Sequence, residues 1–300
     1  MSVATPPSPA EVPRPDGVPS GVPDVDEKPV PSRAGRNLPA AIAVGLLLAA
    51  LILGTLFTRR AVFAGVIAAA IGVGIVELCR ALGHAGVRPA RTPLVLGGVV
   101  TIVATYQRGT LALLFGLVVT CLACLAWRLA DGVPGFLRDW TASVFVAAYV
   151  PFLAGFAALM TAPENGAARI VSFIATTVCS DVGGYAAGVV AGRHPMAPSV
   201  SPKKTWEGFA GSAFACTVCG VALVSTVMEI AWWQGVLFGL AVVAAATIGD
   251  LGESLVKRDV GIKDMGHLLP GHGGLMDRLD SLLVVAPVAW LLLSAWAPVR

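Results

Sequence analysis

From about residue 37 onward the chain alternates long apolar runs with short polar interruptions, and most runs approach the twenty or so residues an α-helix needs to cross a bilayer. Nine spans are predicted, at roughly 39–57, 61–79, 93–107, 110–127, 141–161, 168–191, 209–228, 232–250 and 281–297. Only Thr58, Arg59 and Arg60 separate the first two, and the third is short enough to be tilted or packed inside a bundle. No internal repeat of the inverted-transporter kind is visible. The expected fold is therefore all-α: a polytopic membrane protein of about nine transmembrane helices, with N-terminal helices over residues 37–165 and the chemistry in a C-terminal region over 166–300.

Composition adds to this picture chiefly at the front. Residues 1–36 hold nine of the 21 prolines among Ser, Gly, Asp and Glu and show no apolar periodicity, which predicts a disordered cytoplasmic tail. A Pro-rich leader also argues against a signal peptide, which opens with a short basic stretch. The whole chain is 56% apolar and 13% charged, with a formal charge of +3 and no basic stripe, so nucleic acid is not an expected partner. With the tail inside, sixteen of the 21 Lys and Arg fall in inner segments, Arg59–Arg60 being the local exception. That orientation puts the two polar loops, 192–208 and 251–280, on the cytoplasmic face of the cell membrane. The cysteine pairs Cys121/Cys124 and Cys216/Cys219 have metal-like spacing but lie inside apolar spans without His or charge beside them, and read as small packing residues.

Against this background the polar residues stand out. Four acids, Glu77, Asp181, Glu229 and Asp250, lie in or at the edge of apolar spans, where ionised groups serve a site or take a partner. A structural ion pair with Arg80, three residues on, accounts for Glu77 as well as a function does, and Glu229 falls in a short, solvated outer turn. Asp181 and Asp250 have no basic partner within a turn. If the eighth helix runs on past the membrane surface, Asp250, Glu253, Ser254 and Lys257 share one face.

That face leads into "KDMGHLLPGHGGLMDRLDSLL", residues 263–283, where three Asp, two His, one Lys and one Arg crowd into 18 positions. Its Gly273–Gly274 pair lets backbone N–H groups approach a phosphate at the start of a helix. Asp277 and Asp280 then face one way with Arg278 beside them, a pattern suited to Mg²⁺ shared with substrate phosphates. In the other loop, "SPKKTWEGFAGS", Ser201 is predicted to cap the seventh helix with Pro202 at its first position. Lys203 and Lys204 would then sit at a positive helix end, a conflict that a bound anion resolves; cytoplasmic anchoring of the loop is the plainer alternative. No phosphate loop of the G-x-x-x-x-G-K-[ST] type, no H-E-x-x-H and no G-x-S-x-G is present.

The stretch "SLVKRDVGIKDMGHLLPGHGGLMDRLD" resembles the signature of the phosphatidate cytidylyltransferases, also called CDP-diacylglycerol synthases. The pattern falls on Ser254, Lys257, Arg258, Lys263, Asp264, His272, Gly273, Gly274, Asp277, Arg278 and Asp280 without departure. "SDVGGYAAG" and "SPKKTWEG" upstream resemble other blocks of that family, so residues 175–285 are covered well and the front half only as apolar spans.

The resemblance implies CMP transfer from CTP to phosphatidic acid, yielding CDP-diacylglycerol and diphosphate, with Mg²⁺ as cofactor, the bilayer as surroundings and a second copy of the chain as a candidate partner. The expected roles are Asp250, Asp277 and Asp280 on the metal, and Lys203, Lys204, Lys257 and Arg278 on phosphates. His272, Gly273 and Gly274 would line the triphosphate pocket. Ser201, Ser254, Arg258, Lys263 and Asp264 complete the expected substrate-binding set. Asp181 and Tyr185, one turn apart, would face the lipid headgroup or brace the site. Two rivals remain. A transporter would place its acids near the midplane of two matching halves. A lipid kinase shares the phosphate logic but takes ATP.

Overall fold

The computed structural model describes residues 38–266, 268 and 273–297. The helices are α1 (Leu38–Thr58), α2 (Arg60–His84), α3 (Arg91–Arg108), α4 (Thr110–Leu129), α5 (Phe136–Ala147), α6 (Leu153–Thr161), α7 (Gly166–Ala191), α8 (Trp206–Thr226), α9 (Trp232–Val260) and α10 (Met276–Trp296). Helices α5 and α6 form one rod joined by a π turn over Ala148–Phe152 that contains Pro151. Proline has no N–H to give to the preceding turn, and the wider turn absorbs the missing bond. Among the described residues, seven helical segments are long and apolar enough to cross a membrane, the α5–α6 rod counting as one. The chain is a multi-pass, helical membrane protein.

Two features depart from the sequence reading. Ser201 does not cap a helix: Ser201–Thr205 is a strand, β2, paired antiparallel with β1 (Pro195–Ala197). The cap of α8 is Thr205, whose hydroxyl accepts from Gly208 N at 3.1 Å, while Trp206 N donates to His194 O and closes the hairpin. Lys203 and Lys204 therefore precede the helix instead of opening it, so the conflict with its dipole does not arise. Glu207 sits in the first turn and accepts from the backbone N–H of Arg193 and His194, with its negative charge on the favourable side of that dipole. The second departure is Glu77, which is not paired with Arg80; it is buried and bonds to the far end of the chain, described below.

Small residues set how closely helices approach, as expected where lipid offers no hydrophobic drive for association. On α7 and α8 the contact is glycine against glycine: a Cβ on Gly183 would stand 2.7 Å from Gly211 O, and one on Gly211 would stand 2.7 Å from Gly183 O. On α3 and α4, Gly97 receives Thr120 and Gly116 receives Thr101. Cys216 Sγ donates to Thr176 O at 3.3 Å and Cys219 contacts Thr176 Oγ1, so this C-x-x-C pair packs against α7.

At the end of the bundle opposite the polar loops, two arginines hold carbonyls. Arg169, 1% exposed, donates to Asn165 Oδ1 at 2.8 Å, to Ser294 Oγ at 3.2 Å and to Ala297 O. Arg60 donates to Pro163 O, which gives one member of the exceptional Arg59–Arg60 pair a structural task.

Candidate functional site

The ends of α7, α9 and α10 and the β1–β2 hairpin converge at one end of the bundle. Tight α7–α8 packing fixes the hairpin between them, and β2 carries Lys204 toward α9. There Lys204 Nζ lies 2.6 Å from Asp250 Oδ2, both side chains being about a quarter exposed. A cavity of about 230 Å³ opens beside this pair and is lined by Asp181, Tyr185, Lys203, Lys204, Ser212 and Asp250. Asp181 and Lys203 thus line the same cavity as the Lys204–Asp250 pair.

Asp250 also ties α9 to α10. Its Oδ1 accepts from the Ser281 hydroxyl, and Asp280 Oδ1 accepts from Ser281 N at 2.7 Å. Close helix approach makes this reachable, because a Cβ on Gly249 would stand 2.7 Å from Asp280 O. Two turns further along α9, Lys257 Nζ bridges Glu253 Oε2 and Asp277 Oδ1, the second at 2.6 Å. The stripe Asp250–Glu253–Lys257 is therefore an interface with α10 rather than a solvated face; Glu253 is 1% exposed. Ser254 is half-buried on the same helix without a side-chain hydrogen bond among the described residues.

Asp277 is heavily engaged. It accepts from Lys257, from Met265 N at 3.1 and 3.2 Å through its two oxygens, and from Gly274 N at 2.8 Å. It thereby fastens both ends of the loop between α9 and α10. Gly273 has a left-handed backbone, φ +82°, and a Cβ on it would come within 3.1 Å of Asp277 Oδ2. A Cβ on Gly274 would meet that oxygen at 2.9 Å, so the Gly-Gly pair makes room for this carboxylate.

Arg258, Lys263, Asp264 and Arg278 are exposed around this end. Lys263 and Asp264 border a separate groove with Glu77 and Arg80. His272 lies outside the described residues. Three residues of the cluster were absent from the expected site: Ser281, Glu253 and Glu77. Ser281 follows Asp280 directly and stands four residues after Asp277, a helical spacing that offers it to the same neighbours.

Among the described residues no three His, Cys, Asp or Glu side chains form a finished metal cage. The carboxylates are spread instead along the α9–α10 seam, Asp250 and Asp280 joined by Ser281, Glu253 and Asp277 joined by Lys257. Fold and site together define a membrane-embedded helical protein whose charged groups gather at one end of the bundle, around a polar cavity.

The chain belongs to the cytidylyltransferase family, which it matches over residues 39–296. The match takes in the N-terminal helices that the signature stretch leaves uncovered. The chain is 44% identical over 278 residues to a phosphatidate cytidylyltransferase of Mycobacterium leprae, covering 87% of this chain and 89% of that one. It is 42% identical over 282 residues to the phosphatidate cytidylyltransferase of Mycobacterium bovis, covering 88% and 90%. A phosphatidate cytidylyltransferase of Brucella suis shares 34% identity over 203 residues, 66% and 70% of the two chains.

Proposed function

We propose that this protein transfers CMP from CTP to phosphatidic acid, producing CDP-diacylglycerol and diphosphate for phospholipid synthesis. In the reaction a phosphatidate oxygen forms a bond to the α-phosphorus of CTP as the bond to the β-phosphate oxygen breaks. The phosphate monoester is largely dianionic near neutral pH, so no strong base is needed. The obstacle is repulsion between an anionic lipid and a triphosphate, and the residues present address it. Lys204 and Lys203, on one wall of the cavity, would take phosphate oxygens, as would Lys257 and Arg278 farther along α9 and α10. Asp181 and Tyr185, which line the same cavity, would border the headgroup.

The donor set fits a hard divalent cation. Among the described residues, buried Glu253 has no hydrogen-bond partner for Oε1, and the Asp280 carboxylate lies beside it, an arrangement that a cation relieves. Mg²⁺ takes only one or two carboxylates when substrate phosphates supply further oxygens, which suits a seam that is not a closed cage. Asp250, Asp280 and Glu253 would hold it, with Asp277 chiefly ordering the loop. Bound there, the ion would neutralise charge on the phosphates.

The observation that carries this reading is the pairing of Lys204 with Asp250 at the mouth of a polar cavity, backed by the α10 carboxylates. Charge gathered at one end of the bundle fits one substrate held in the bilayer and one arriving from water. With the positive residues counted as above, that end faces the cytoplasm of a nine-span protein in the cell membrane, and a homodimer is compatible with this arrangement. A transporter would need these acids at the midplane of two halves, and the cluster lies at one end instead. The test is diphosphate release by purified protein in phosphatidate-containing micelles with CTP and Mg²⁺. Release must depend on both phosphatidate and CTP; release unaffected by omitting the lipid would defeat the reading.

A further inference from the structure

Helix α10 begins without a cap of its own. Leu275 occupies the cap position and has no side-chain oxygen to offer the first N–H groups of the helix. The missing acceptor comes from the front half of the chain: Glu77 Oε2, on α2, accepts from Met276 N at 2.8 Å across a sequence separation of 199 residues. Glu77 is 5% exposed, an expensive place for a carboxylate unless it holds something. Two glycines admit it. A Cβ on Gly266 would strike Glu77 Oε1, and one on Gly274 would lie 2.8 Å from Oε2.

Two carboxylates on different helices therefore grip one loop. Asp277 takes the N–H of Met265 and of Gly274, and Glu77 takes the N–H of Met276, the residue next to Asp277. A negative group at a helix N-terminus is also favoured by the helix dipole. We infer that Glu77 is a positioning residue: it caps α10 from α2 and so fixes where Asp277 meets Lys257. This rests on the reading of that seam as the reaction site and extends it to a helix outside the signature stretch.

The test uses full-length protein in detergent with phosphatidate, CTP and Mg²⁺. Displacement of a site by about 1 Å is able to cost on the order of a hundredfold in rate. Glu77→Ala should therefore lower kcat by roughly that factor while the KM for phosphatidate, bound at the cavity lined by Asp181 and Lys204, which Glu77 does not line, changes less than about threefold. Glu77→Gln keeps a carbonyl acceptor for Met276 N and should recover kcat to within about tenfold of the parent. Gly266→Ala, which pushes on Glu77, should slow the parent protein and cost nothing further in the Glu77→Ala background, as coupled neighbours do. Glu77→Ala with near-parental kcat, Gln no better than Ala, or additive losses would each overturn the inference. Hydrogen exchange provides a readout independent of turnover. Amides of 273–280 should exchange faster in Glu77→Ala while the middle of α10 is unchanged, and unaltered exchange there would also overturn it. An inactive parent protein would count against the proposed reaction alone, since the exchange result stands by itself.

Discussion

Lys204, on a short strand, and Asp250, on a membrane helix, meet at 2.6 Å although 46 residues separate them. The pair closes the gap between the two polar loops and gives the cavity a wall of each charge. Because the Lys204 side chain is about 28% exposed, an arriving phosphate can compete with Asp250 for it. Lys204→Ala should lower kcat/KM for CTP by roughly a hundredfold, since a charge-assisted contact to phosphate is lost and Asp250 loses its lysine partner. Steady-state assays at varied CTP would check this; a change below about threefold would remove Lys204 from the substrate.

Ser281 links Asp250 to Asp280 through one hydroxyl and one N–H. Alanine suits a helix interior, so Ser281→Ala should leave the fold intact and lose only the hydroxyl. A fall in turnover of about tenfold with an unchanged melting temperature is expected, the size of a hydrogen bond to a charged group. A lowered melting temperature with parental turnover would make the contact purely structural.

Much of this was legible in the sequence, for specific reasons. Membrane helices announce themselves because about twenty apolar residues are required whatever they pack against, and the C-terminal acids stood out because charge is scarce in the chain. Ser201 misled because Ser-Pro is a common way to start a helix, whereas the hairpin that claims it depends on Trp206 N finding His194 O. Glu77 misled because Arg80 is its neighbour in sequence, while its true partner is 199 residues away and is a backbone N–H that no side-chain pattern reports. Only the close approach of α2 to the loop between α9 and α10 makes that bond.

Arg169 provides a contrast at the other end of the bundle. Its removal would take three hydrogen bonds, to Asn165, Ser294 and Ala297, and the packing of a buried side chain, at a cost of about 1–3 kcal/mol although the acceptors themselves are only partly buried or exposed. Arg169→Ala should melt several degrees lower in detergent yet turn over CTP normally per folded molecule. A loss of kcat without a loss of stability would mean that this end is coupled to the chemistry.

The sidedness of the site can be read directly. Lys263 and Pro198 are exposed and lie in the two polar loops. Cysteines introduced at either position, in a background lacking the six native cysteines, should resist an impermeant thiol reagent applied to intact cells and react after permeabilisation. Labelling from outside would invert the orientation.

A cytidylyltransferase and a kinase differ in which phosphorus moves to the lipid. Purified protein should be given phosphatidate, Mg²⁺ and CTP labelled with ³²P at either the α or the γ position, and the lipid fraction counted. The α label should enter the lipid, the γ label should stay in water as diphosphate, and ATP in place of CTP should give no labelled lipid. Transfer of γ label to the lipid would identify a kinase, and no labelled lipid from either CTP would rule out cytidylyl transfer by this protein.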